Sequence, residues 1–214
     1  MDQTFIFADL AGFTAMTEVH GDAVAAEVAA AFCAELNRLM PAGGEDLKSL
    51  GDACMVLIPD AADAIRFGLR LVDEAAADRP FPEVRVGMHT GPAVQHGGDW
   101  FGHAVNIAAR VAGRARGGQV LLTAATREQA PGLDGVEFDD LGLEALRNLR
   151  APVPMFQASR LDGRAISGRQ VDPVCRLRLL PDPRQVERAV GSSARFCSDR
   201  CAALSRADPV RVST

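Results

Sequence analysis

The sequence predicts an α+β fold: a ferredoxin-like βαββαβ core with additional strands, followed by a small cysteine-containing C-terminal unit. Three observations predict it. Apolar runs of strand length alternate with Ala-rich or amphipathic stretches at helical spacing. Gly51-Asp52 separates two adjacent apolar runs, as a hairpin turn does. Charge and cysteine usage also change near residue 160. Residues 1–160 carry a net charge of −9 and residues 161–214 one of +4, and three of the five cysteines fall in the last 40 residues.

The elements follow in order. Thr4-Phe5-Ile6-Phe7-Ala8-Asp9 reads as a short buried strand ending on an acid. Residues 14–40 are Ala-rich and helical, with a fresh helix start at Gly21-Asp22. Residues 45–58 form the hairpin, and 61–77 repeat apolar residues every three or four positions as an amphipathic helix does. Residues 84–89 are a strand, broken by Gly91-Pro92; 103–115 are a helix, 119–123 a strand, and the rest to 158 short strands and turns. This order gives the split βαβ sheet with helices on one face. It also lays the first strand beside the hairpin, so Asp9 can meet Asp52. Two carboxylates beside the backbone N–H groups of Ala11-Gly12-Phe13-Thr14 make a site for Mg²⁺ and phosphate. Taken singly, Asp9 also fits a helix cap and Asp52 a turn filler.

Composition narrows the class. With 48% apolar and 24% charged residues, the chain matches ordinary globular proteins and not disordered or fibrous ones. No stretch approaches the roughly 20 apolar residues of a membrane helix, and the start Met1-Asp2-Gln3-Thr4 is acidic where a signal peptide is basic. A cytoplasmic location without a membrane partner is expected. Lys48 is the single lysine among 23 basic residues. The basic tail reads as a solvated face, so no nucleic-acid partner is expected.

Three motifs in register resemble the class III nucleotidyl cyclases. Phe7-Ala8-Asp9-Leu10-Ala11-Gly12-Phe13-Thr14 resembles the family's first metal motif, and Leu47-Lys48-Ser49-Leu50-Gly51-Asp52 its second. Asp99-Trp100-Phe101-Gly102-His103-Ala104-Val105-Asn106-Ile107-Ala108-Ala109-Arg110 resembles the segment with its base-selecting and transition-state residues. The resemblance spans about residues 3–158, giving a catalytic domain over 1–158, a linker over 159–171 and the small unit over 172–210.

The resemblance implies the following roles. Asp9 and Asp52 bridge two Mg²⁺ or Mn²⁺ ions, and Gly12, Phe13 and Thr14 cradle the phosphates. Lys48 and Asp99 occupy the purine-contacting positions; lysine donates to the ring and aspartate accepts from an exocyclic amine, which fits adenine. Guanylate cyclases of the family typically carry glutamate and cysteine there. Asn106 orients the ribose, and Arg110 meets charge on the α-phosphate in the transition state. Leu146-Arg147-Asn148 stands where a Leu-Lys-Gly is usual, so Arg147 replaces the lysine that grips the terminal phosphates. A planar fork is not a flexible ammonium, and triphosphate affinity or turnover is open to change there.

The expected activity is conversion of ATP to 3′,5′-cyclic AMP and pyrophosphate by two-metal in-line attack of the ribose 3′-oxygen. Metal residues and base-selecting residues come from different catalytic domains in this family, so one chain carrying both sets implies a head-to-tail homodimer. The alternative is a catalytically silent module that senses nucleotide or metal and relays it to a partner.

Cys33 and Cys54 read as small core residues. Cys175, Cys197 and Cys201 are different: with Asp172-Pro173-Val174-Cys175 and Phe196-Cys197-Ser198-Asp199-Arg200-Cys201 they resemble the YHS or TRASH type of small metal-binding domain. Arg176-Leu177 replaces its usual Gly-Met, and Leu204 its customary aromatic. Three thiolates suit Zn²⁺ or Cu(I), with Asp199, Asp172 or water as the fourth ligand, and metal at this tail is a candidate regulator of the cyclase. The four histidines, His20, His89, His96 and His103, show no metal-ligand spacing among themselves.

Overall fold

In the computed structural model, which describes residues 2–75, 81–161, 170–179 and 195–207, the first strand, β1 (Gln3–Ala11), lies inside a seven-stranded sheet. Helices α1 (Phe13–His20) and α2 (Asp22–Leu39) follow it, then the hairpin β2 (Glu45–Leu50) and β3 (Ala53–Ile58). Helix α3 (Ala61–Glu74) starts at Asp60, whose carboxylate accepts from the Asp63 N–H at 2.8 Å as an N-cap. Then come β4 (Glu83–Gly91), the small hairpin β5 (Val94–His96) and β6 (Asp99–Phe101), and helix α4 (His103–Arg114). The chain continues through β7 (Val120–Thr123), α5 (Ala124–Glu128), β8 (Val136–Glu144), β9 (Val153–Arg160) and α6 (Asp199–Ala207).

The sheet order is β2-β3-β1-β4-β7-β9-β8. Its first four strands have the expected ferredoxin-like arrangement, with β1 antiparallel to both β3 and β4. The fold class read from the sequence stands. Alternation along β1 divides the core: Ile6, Ala8 and Leu10 pack with Phe32 and Leu36 of α2 and Ile65 of α3 on one face. Phe5 and Phe7 point the other way, onto Ala104, Val105 and Ala108 of α4.

Helices on one face therefore describe the core alone, because α4 covers the opposite face. The cause is local. Gly87 of β4 has no side chain, and a Cβ there would lie 2.0 Å from the Ala112 nitrogen, so α4 rests directly on the strand backbone. The segment up to 158, expected as short strands and turns, contains two long paired strands, β8 and β9, and the helical turn α5. Ser159 and Arg160 are the last residues of β9. Residues 76–80 and 162–169, in the expected helix end and linker, lie outside the described residues. Among the described residues no helix is long and apolar enough to cross a membrane.

The tail does not stand apart. Val174, Cys175, Leu177, Phe196, Cys201 and Ala202 share an apolar cluster with Met16 and Val19 of α1 and Ala25 of α2. Arg178 is buried and donates to the Val72 carbonyl at 3.2 Å, while its N–H donates to the Phe81 carbonyl at 2.8 Å.

The half-buried His89 is expected to make stability pH-sensitive. His89 Nδ1 lies 2.7 Å from the Thr123 hydroxyl, and burial, then the charge of His103, lowers its pKa to about 4. The unfolded chain takes up this proton near pH 6.5, so the contribution is complete above that pH and is lost as pH falls towards 4. Between pH 7 and pH 5 the Tm of the wild type is expected to fall about 4 °C further than that of His89→Gln. Parallel pH-dependent thermal melts check this.

Candidate active site and thiol cluster

Asp9 faces the α4 side of the sheet, one register pair from the turn that carries Asp52. The Leu10 N–H donates to the Asp52 carbonyl at 3.2 Å, which ties the end of β1 to the hairpin. The Asp52 carboxyl is pushed above the usual carboxylate range, first by burial and then by the nearby Asp9 charge. Two oxygen-rich acids side by side suit a hard divalent cation. A residue the motif reading missed, Arg85, answers part of this charge: its Nε donates to Asp9 Oδ2 at 2.8 Å and its Nη2 to the same oxygen. A guanidinium standing against the acid pair shows that the site attracts positive charge.

Directly after β1, Gly12 takes a left-handed conformation, φ 82° and ψ 17°, and opens α1. Phe13 is half-buried and Thr14 exposed, and the first N–H groups of the helix have no intrahelical partner. The three residues thus form an anion-receptive turn beside the acids.

Lys48 reaches this side of the sheet through a bulge. Asp46 pairs with Val56 but Lys48 pairs with Met55, so Leu47 is an extra residue in β2. Without it, the period-2 rule would turn Lys48 to the α2 face. Its ammonium instead pairs with Asp99 of β6, 51 residues away. That hydrogen bond, then the Trp100 N–H, holds the Asp99 carboxyl below its ordinary range.

Asn106 and Arg110 are one turn apart on α4, both exposed. Arg147 is exposed in the β8–β9 connection, beside Asn148 with φ 65°. Among the described residues no hydrogen bond or ion pair joins Asn106, Arg110 or Arg147 to Asp9, Asp52, Lys48 or Asp99. The structure therefore brings together Asp9 with Asp52, and Lys48 with Asp99, and leaves the α4 pair open.

The tail cysteines converge too. Cys175 and Cys197 Sγ lie 3.4 Å apart and Cys197 and Cys201 Sγ 3.6 Å apart. Neither acid expected as a fourth ligand belongs to this group. Asp172 uses Oδ1 to accept from the Val174 and Cys175 N–H groups at 2.8 and 3.1 Å, and Oδ2 to accept from the Cys197 N–H at 2.7 Å. Asp199 opens α6. The fourth member is His20 of α1, its Nε2 3.7 Å from Cys197 Sγ. Sequence spacing among the histidines carried no sign of it, since its partners are more than 150 residues away.

Comparison with known proteins agrees with the fold. Residues 2–152 match the family described as the adenylate and guanylate cyclase catalytic domain. The chain is 38% identical over 168 residues to a pH-sensitive adenylate cyclase of Mycobacterium tuberculosis, covering 77% of this chain and 42% of that one. It is 37% identical over 124 residues to an adenylate cyclase of Streptomyces coelicolor, covering 58% and 32%. It thus spans less than half the length of these relatives. An adenylate cyclase structure from Trypanosoma brucei superposes with a TM-score of 0.67 at 25% identity, covering 76% of this chain and 90% of that one. The adenylyl cyclase CyaB from P. aeruginosa gives 0.62 at 23%, covering 75% and 96%, a likeness of fold. The chain belongs to the adenylate and guanylate cyclase catalytic domain family.

Proposed function

We propose that the chain is an adenylate cyclase, converting ATP to 3′,5′-cyclic AMP and pyrophosphate in the cytoplasm as a head-to-tail homodimer. The observation that carries the reading is the convergence of Asp9 and Asp52 beside the Gly12 turn, where burial first and the Asp9 charge second raise the Asp52 pKa. Two Mg²⁺ or Mn²⁺ ions held by these acids would acidify the ribose 3′-hydroxyl and neutralise phosphate charge.

The other steps belong to the chain. The 3′-oxygen attacks the α-phosphorus, the bond to pyrophosphate breaks, and the 3′-hydroxyl proton is released. Backbone N–H groups of Gly12, Phe13 and Thr14 hold phosphate oxygens. Lys48 donates to the adenine ring and Asp99 accepts from its exocyclic amine; their ion pair keeps both groups in place before the base arrives. Asn106 orients the ribose, and Arg110 meets the charge that grows on the α-phosphate in the transition state. Arg147 holds the terminal phosphates as a fork where the family resemblance has lysine. The exposure of the α4 pair, away from the acids, supports completion of each site by a second copy.

The catalytic domain runs to the end of β9 at Arg160, two residues past the boundary expected at 158, and the linker follows it to residue 171. The segment 172–210 is a metal-binding regulator of YHS or TRASH type, its thiols suited to Zn²⁺ or Cu(I).

Base choice tests the reading. Lys48→Glu combined with Asp99→Cys is expected to shift the ATP:GTP ratio of kcat/KM towards GTP by about 100-fold. An unchanged ratio in an active double variant removes these residues from base selection.

A further inference from the structure

The three tail thiols and His20 belong to different parts of the molecule. His20 ends α1, the helix that begins at the Gly12 turn, whereas the cysteines lie on the C-terminal segment. Their ligand atoms all fall within 4.8 Å of one another. The individual separations of 3.4, 3.6 and 3.7 Å are those of a tetrahedron's edges. A Zn–S bond of about 2.3 Å puts neighbouring ligands about 3.8 Å apart. Cys175 and Cys201 are buried, and Cys197 and His20 half-buried, so an ion here is shielded from water on most sides. The shell around them is ordered as well. Asp172 fixes the backbone of Cys175 and Cys197, and the Cys201 N–H donates to the Ser198 hydroxyl at 3.3 Å. All five cysteines are free thiols.

We propose that His20, Cys175, Cys197 and Cys201 form a tetrahedral Zn²⁺ site in which the catalytic core itself supplies the fourth ligand, so that the ion pins the C-terminal segment onto α1. Three sulfurs and one imidazole are a closed, structural donor set with no open position for substrate. Among the described residues, the apolar cluster that joins the tail to α1 and α2 has nine buried side chains. A metal supplies the remaining attachment energy.

The pinned segment also reaches the candidate active site. Arg176, next to Cys175 and held at φ 63°, lays its stem across Gly12; a Cβ on Gly12 would sit 2.5 Å from both Cβ and Cγ of Arg176. Zinc occupancy is thus mechanically linked to the turn between Asp9 and α1. Relevance of that link to catalysis rests on the cyclase reading; the metal site does not.

The test uses the full chain, reduced and metal-free, titrated with Co²⁺ and then Zn²⁺. Wild type is expected to bind one Co²⁺ per chain with the intense visible bands of a tetrahedral site and to release it to Zn²⁺. His20→Ala is expected to lose about 100-fold or more in affinity, while His20→Cys restores tetrahedral binding with stronger thiolate-to-metal absorption. Zn²⁺ is expected to slow amide exchange across α1 about 10-fold in wild type and not in His20→Ala. Absence of stoichiometric binding overturns the proposal. So does His20→Ala with wild-type affinity and spectrum, failure of His20→Cys to rescue, or zinc binding that leaves α1 exchange unchanged. None of these readings requires cyclase activity, so failure of this site and failure of the enzymatic assignment are separable.

Discussion

Asp52→Ala is expected to lower cyclic AMP formation by at least about 10³-fold while leaving the fold intact. The side chain sits on a hairpin turn and is half-exposed, so no core packing is lost. Its removal relieves both the partial burial of a carboxylate and, second to it, the repulsion from Asp9, the two causes that raise its pKa. Stability should therefore hold or rise slightly while activity collapses, a combination that a structural role for Asp52 would not produce. Asp52→Asn separates charge from shape: with the side-chain volume kept and the charge removed, activity should fall almost as far. Thermal melts run beside the assay complete the check.

Arg110→Ala is expected to cost about 10²- to 10³-fold in kcat with little change in KM for ATP, because the contact forms fully only in the transition state. Arg110 is exposed on α4 and, among the described residues, pairs with none of the acids, so its loss leaves the fold undisturbed. The two variants together test the assembly. In a head-to-tail dimer, Asp52→Ala damages the metal half of one site and Arg110→Ala the opposite half. Mixed chains pair so that one site carries both defects and the other carries neither. Random pairing should then return about a quarter of wild-type activity from two nearly inactive preparations. A mixture as inactive as its components contradicts sites shared between chains.

Much of this arrangement was legible before the structure, and the residues show why. Gly51-Asp52 and Gly91-Pro92 punctuate the chain through backbone preferences that need no tertiary context, so the hairpin fell where the sequence placed it and β4, expected to end at 89, stops at Gly91, directly before Pro92. The meeting of Asp9 and Asp52 followed from topology alone. What escaped depends on contacts between distant segments. The bulge at Leu47 that turns Lys48 towards Asp99 has no local signature in Glu45-Asp46-Leu47-Lys48. Gly87 is an ordinary strand residue until α4 lies on it. Arg85 belongs to no quoted motif and is recognisable only by its register opposite Asp9. His20 reads as the end of a helix until the tail folds back and supplies three sulfurs.

These misses share a direction. Each makes the catalytic core and its surroundings more connected than the motifs imply. The acid pair is already partly neutralised by Arg85, and Lys48 and Asp99 are already paired with each other. The tail leans on the turn that precedes α1. A cyclase with these contacts is expected to respond to changes at the tail, because the turn and the thiol cluster are opposite ends of one eight-residue helix.

The proposed activity of this site is cyclisation of ATP. The most direct measurement is incubation of the purified chain with ATP, and separately GTP, in Mn²⁺ or Mg²⁺, with dimerisation established on the same sample and Asp52→Ala run in parallel. Cyclic AMP is expected from wild type, with little cyclic GMP, and neither from the variant. Cyclic GMP as the main product would contradict the roles given to Lys48 and Asp99. Absence of any product from a dimeric protein would contradict the enzymatic reading and leave a sensing module built on the same fold.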